Sequence, residues 1–148
     1  MSATLPAVRI LPMDSQLEFE GRSIEAVQQT FFLKELLRPE RPPGKYYYRE
    51  AGLNADTGTV VLFQYDGKLI ASATLTDVER FETPEKGTYR GALYFEPNSI
   101  KVFDPIGPDV VAAIWPEFKA FSHVKWTLDP KGLAEFERRL TGVEKPKL

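Results

Sequence analysis

Between Thr59 and Leu75 the chain places apolar residues on both faces of a strand pattern. Two β-rich runs, VVLFQY and KLIASATL, are separated by a single Asp-Gly pair, Asp66-Gly67. Such a pair predicts a two-residue hairpin, because both turn positions require positive φ. With that turn, Tyr65 pairs with Lys68, Phe63 with Ile70 and Val61 with Ser72 on one face. Gln64 with Leu69, Leu62 with Ala71 and Val60 with Ala73 form the other. Both faces are largely apolar, so both need a cover. A small barrel meets that need, one face lining the interior and the other lying under a helix.

The remaining pattern supplies the other elements. AVRILPM (Ala7–Met13) reads as a first strand bounded by Pro6 and Pro12. SIEAVQQTFFLKELL (Ser23–Leu37) spaces Ile24, Val27, Phe31 and Leu36 as a helix, with Ser23 as its N-cap. The prolines and glycine of RPERPPG end it, and KYYYREAGL follows as an exposed loop or edge segment. Strands are expected at Thr59–Tyr65, Lys68–Phe81, Gly91–Phe95 and Ser99–Phe103, with turns at Glu82–Gly91 and Glu96–Asn98. Asp109 or a neighbour caps a short helix VVAAIW that Pro116 stops, and Trp115 is assigned to the core. FSHVKWTL is a last strand. DPKGLAEFERRL closes with an amphipathic helix, capped by Asp129 with Pro130 behind it, that presents Leu133, Phe136 and Leu140 on one side. Strands in the middle and helices near both ends predict an α+β fold with a curved, mainly antiparallel sheet. A single domain over residues 1–142 is expected, with 143–148 as a mobile tail or truncated linker.

Composition narrows the chemistry. The 148 residues contain no Cys and one His. That removes disulfides, thiolate metal sites and Cys nucleophiles, and favours a cytoplasmic location. No apolar run reaches membrane-spanning length, and the start lacks a signal-peptide pattern. There is no glycine-rich phosphate loop. His123 has no carboxylate near it in sequence, and the acidic residues are scattered without calcium-loop or two-metal spacing. No acid, base or metal set converges, so the reading is of a non-enzymatic domain without a cofactor.

Charge and aromatics are more informative. The net charge is −2, yet Lys34, Arg38, Arg41, Lys45 and Arg49 face only Glu35 and Glu40 between Lys34 and Arg49. That local strip suits groove-restricted nucleic-acid contact, or else a solvated loop. Tyr46–Tyr48 stand between Lys45 and Arg49, and Trp126 follows Lys125. Aromatic faces beside cations suit base stacking and phosphate contact. Half-buried sheet residues are the alternative.

Several segments resemble the PUA-like domains, particularly their EVE, ASCH and YTH branches. TGTVVLFQYDGKLIASATL is similar to their hairpin and small-residue strand, and YFEPNSIKVFDPI to their strand leading into a Pro-Ile turn. GPDVVAAIWPEF looks like the short helix after it, and FSHVKWTLDPKGLAEFERRL like the final strand, turn and closing helix. The similarity spans Lys45 to Leu140. It implies a PUA-like barrel flanked by helices that reads a methylated or hydroxymethylated base in DNA, in preference to RNA, by flipping it into an aromatic cage. It also implies a role as specificity module of a restriction system, with a fused or associated HNH-type nuclease as partner and no membrane. AVRILPM lacks the early Trp of EVE domains, and tyrosines stand where YTH domains use Trp, so no particular modified base carries over.

On this reading Tyr46, Tyr47, Tyr48, Phe63, Tyr65 and Trp126 form the cage or its walls. Asn54, Gln64, Asp66 and Ser72 read the base edge, and Arg41, Lys45, Arg49 and Lys125 hold phosphates. Alternation forbids Gln64 and Tyr65 from facing one pocket. Two rival readings stay open: a protein-interaction module docking a peptide on KYYYR, and an ASCH-like RNA-binding or RNA-processing enzyme.

Overall fold

Asp66 and Gly67 both adopt positive φ, 51° and 76°, and the hairpin forms around them. The computed structural model describes residues 6–13, 21–37, 44–48, 55–85, 89–118, 121 and 128–146. Its strands are β1 (Val8–Pro12), β2 (Lys45–Tyr48), β3 (Val60–Tyr65), β4 (Lys68–Glu85), β5 (Tyr89–Phe95) and β6 (Lys101–Ile106). They hydrogen-bond in the order β1-β3-β4-β5-β2, with β6 also on β4. Only β1–β3 is parallel. The fold is therefore α+β with a mostly antiparallel sheet, as expected. The expected barrel does not close: β1 and β2 end the path and do not pair with each other among the described residues.

β4 is the spine of the molecule, and its irregularities shape the sheet. Tyr65–Lys68 and Gln64–Leu69 pair as the turn dictates, but Phe63 then pairs with Ala71 and Leu62 with Ser72. Ile70 is an extra residue on β4, a bulge that shifts every later pair by one. The faces expected from simple alternation are corrected accordingly. Val61, Phe63, Tyr65, Ala71 and Ala73 share one core, while Leu62 and Leu69 belong to the other. A second shift lies between Leu75 and Asp77. There the Thr76 hydroxyl donates to the Tyr94 carbonyl at 3.1 Å. Such breaks bend a strand and increase its twist. The first half of β4 joins β3 and β6, and the second half joins β5 and then β2.

Each face of the hairpin is covered by a different layer. The first cover begins at α1 (Ile24–Ala26), capped by Ser23 Oγ accepting from the Ala26 amide at 3.1 Å. It continues as a π-helical segment, Val27–Phe32, and a 3₁₀ turn, Glu35–Leu37. Val27, Phe31, Phe32 and Leu36 from this cover are buried with Tyr46, Phe63, Leu93 and Phe95. The second cover is α2 (Pro108–Ile114) and α3 (Leu133–Arg139), which pack Val111, Trp115 and Phe136 on Leu62, Leu69 and Phe103.

Caps and ends refine the sequence reading. Gly107, not Asp109, is the N-cap of α2; Pro108 opens the helix and Asp109 sits in its first turn. Asp129 does cap as expected, its Oδ1 accepting from the Lys131 amide at 3.0 Å ahead of a 3₁₀ turn that runs into α3. Residues read as a tail return along β6, where Glu144 and Val102 exchange two backbone hydrogen bonds of 2.9 Å. In the expected last strand, Leu128 bridges Val8, and positions 122–127 lie outside the described residues. No helix among the described residues is long and apolar enough to cross a membrane.

Candidate aromatic site

The three consecutive tyrosines separate by strand parity, and Gly44 sets the phase. Its φ is +84°, and a Cβ there would collide with the Phe95 carbonyl. The Gly44 amide donates to Leu36 O at 2.8 Å, and its carbonyl accepts from the Phe95 amide at 2.9 Å. β2 thus begins at a glycine tied to both the 3₁₀ turn and β5, with Tyr46 opposite Leu93 and Tyr47 opposite Ala92.

Tyr46 points inward and is 6% exposed. Its ring lies 5.8 Å from Phe31, 5.7 Å from Phe63 and 6.4 Å from Phe95. Tyr48 also takes the inner parity, at the margin of that core, and its ring fills the space over Gly91. Tyr47 takes the outer parity and is half-buried. Its ring sits 4.9 Å from Tyr89 at 35° and 6.2 Å from Phe81 at 58°. The Lys45 ammonium lies 4.8 Å from the Tyr47 centroid, 5.6 Å from Phe81 and 5.7 Å from Tyr94. Tyr94 Oη donates to Glu79 Oε1 at 2.6 Å. Fully buried Ala92 stands between Tyr47 and Glu79 in the register, a small floor beneath the larger rings.

The electrostatics of this face are tuned by its own groups. Burial raises the Tyr94 hydroxyl above its ordinary pKa, and the hydrogen bond to Glu79 adds to this, against the opposing influence of Lys45. Burial alone would lower the Lys45 ammonium; hydrogen bonding with Tyr47 and Tyr94 outweighs it, and the net shift is upward. Four half-buried rings, one held cation and one carboxylate can accept a flat ring by stacking, or a cation by π-contact.

Of the residues expected to bind a base or phosphate, the structure brings Lys45 and Tyr47 together on this face. Phe63 is fully buried in the core, 4.8 Å from Phe32 and 5.2 Å from Phe95. Tyr65 is buried too, its Oη donating to Arg22 O at 2.7 Å. Burial pushes its hydroxyl pKa up, with the Asp66 charge adding and Arg22 opposing. Gln64 is half-buried on the opposite parity, and Asp66 is exposed in the turn. Ser72 lies on the opposite side of the sheet from Phe63, because of the Ile70 bulge. It borders a separate cleft of about 190 Å³ with Thr74, Asn98, Lys101 and Glu137. Asn54, Trp126, Arg41, Arg49 and Lys125 lie outside the described residues.

Sequence reasoning missed Tyr94, Phe81, Tyr89 and Glu79. Tyr94 was readable, since Leu93 and Phe95 on either side are core residues. Phe81 and Glu79 were not: counted from buried Leu75 by simple alternation they would point inward, and the shift at Thr76 turns them out. Among the described residues no three His, Asp or Glu side chains gather into a cation site. No family model matches the chain, no curated protein matches it, and no solved structure matches its fold.

Proposed function

We propose that this protein is a nucleic-acid-binding domain that stacks an unpaired base on the Tyr47 face. The observation that carries the reading is the outward aromatic surface spanning β2, β4 and β5, with a lysine ammonium held among its rings. Stacking on such rings is tolerant of base identity, and a neighbouring cation serves the phosphate backbone. The segments that resemble PUA-like readers support the same reading. They add the further proposals of a PUA-like ancestry, a modified DNA base and a restriction nuclease as partner. The base would lie on a platform, since Tyr46, Phe63 and Tyr65 are already used by the core.

Anisotropy titrations test this with single-stranded DNA, the matching RNA, and duplexes carrying unmodified, methylated or hydroxymethylated cytosine or methylated adenine. Binding should weaken with salt. Tyr47→Ala and Phe81→Ala should each cost about 1–3 kcal/mol of affinity. No binding at low salt, or binding indifferent to Tyr47, overturns the proposal. Equal affinity for every duplex removes only the modified base.

A second reading has its own observation. Asp77 and Glu79 share the outer parity with the rings, a combination suited to a cationic peptide side chain. A peptide rich in Arg or Lys that binds this face while oligonucleotides do not would favour it.

A further inference from the structure

Two backbone irregularities converge on one side chain away from the aromatic face. Gln28 stands in the π-helical segment and is 8% exposed. Its Nε2 donates one proton to Ile70 O, at the β4 bulge, at 3.0 Å and the other to Phe103 O at 2.6 Å. Both amide donors are thereby used, which fixes the orientation of the group. Its Oε1 accepts no hydrogen bond among the described residues. Gln28 lines a cleft of about 400 Å³ between α1, β6 and the returning C-terminal segment. This oxygen is not sealed from solvent, so the amide is fixed from behind while its acceptor stays accessible to a donor entering the cleft. π-Helical turns and β-bulges both recur at functional sites.

The rest of the lining states the chemistry of the missing partner. Glu25, Asp104 and Glu144 border the cleft, and among the described residues neither Lys nor Arg does. Two of these exposed carboxylates are steadied by a neutral donor: Thr141 Oγ1 donates to Asp104 Oδ2 at 2.7 Å, and Gln29 Nε2 to Glu144 Oε2 at 3.0 Å. These contacts orient the carboxylates without neutralising them. Gly142 belongs to the same wall, and a Cβ there would collide with the Asp104 carboxylate. The three carboxylates are too dispersed to share a metal ion. We propose that this cleft binds a guanidinium group carried by a small molecule. A planar cation with several N–H donors matches carboxylates at the rim and an amide carbonyl at the floor. The volume falls within the range of small-ligand pockets, about 300–1,000 Å³. The site is independent of the Tyr47 face.

The test titrates the full chain with agmatine, with 1,4-diaminobutane as a cation lacking the planar fork, and with an uncharged alkyl urea of equal length. Calorimetry reads affinity, and the side-chain amide signals in a ¹⁵N correlation spectrum read position. Agmatine should bind saturably, more tightly than the diamine, and shift the Gln28 side-chain resonance. The urea should not bind. Asp104→Asn and Glu144→Gln keep the shape and should each weaken agmatine about tenfold, the scale of one charge-assisted hydrogen bond. No saturable binding overturns the proposal. So does binding that leaves the Gln28 signal in place, or that survives both substitutions together.

Discussion

Tyr46 and Tyr47 are neighbours on one strand, and they belong to two different kinds of surface. Tyr46 meets Phe31 and Phe95 edge-on and Phe63 at a tilt, in a sealed core. Tyr47 lies on Tyr89 and under a lysine, half-open to solvent. The inner cluster contributes through apolar area removed from water, about 1.5–3 kcal/mol for each fully buried large side chain. The outer rings are only half-buried and remove less, which fits the proposed stacking surface. An aromatic-rich composition does not distinguish the two; strand parity and its phase do.

The sharpest way to break the comparison is to truncate one ring on each side. Phe63→Ala, in the core, should lower stability by about 3–5 kcal/mol in urea unfolding. Phe81→Ala, on the outer face, should lower it by less than half as much. Similar losses would mean the outer rings are structural as well.

An intermediate effect is expected where the two layers share a hinge. Gly44→Ala must hold a left-handed φ, costing about 1–2 kcal/mol, and must also push against the Phe95 carbonyl. It should destabilise the fold and displace Tyr47 together, visible as a loss of stability and a shift in tyrosine side-chain resonances. A neutral result would show that β2 docks without the glycine.

The smallest effect is a pH dependence carried in part by the outer face. Tyr94 and Lys45 both carry raised pKa values in the folded chain. The folded state therefore keeps protons that the unfolded chain releases above about pH 10. This contribution is complete below that pH and is lost as pH rises through the folded values. Tyr94→Phe should flatten part of the alkaline fall in stability measured by denaturant titration. Lys45 and Tyr65, both raised, retain the remainder. An unchanged alkaline slope would contradict the Tyr94 assignment.

Local chemistry was legible in the sequence wherever one or two residues decide the outcome. Asp66-Gly67 specified the turn, Ser23 and Asp129 the caps, and the i, i+3, i+7 spacing of Leu133, Phe136 and Leu140 the buried side of α3. The doubly apolar hairpin correctly required a cover on each face. The expected grouping of Phe63 with Ser72 fails for one physical reason. Alternation has a period of two, so a single inserted residue reverses every side chain beyond it. Ile70 separates Phe63 from Ser72 in this way, and Thr76 turns Phe81 and Glu79 outward.

The sequence by itself determined the turn, the caps, the α+β class and the presence of more aromatics than one core needs. Tertiary structure decided where the bulges fall, because they are set by competition among neighbouring strands and by the Gln28 amide that donates to the Ile70 carbonyl from forty-two residues away. It also decided which of two adjacent tyrosines faces the solvent. That choice rests on one glycine whose left-handed backbone meets a strand still fifty residues ahead in the chain.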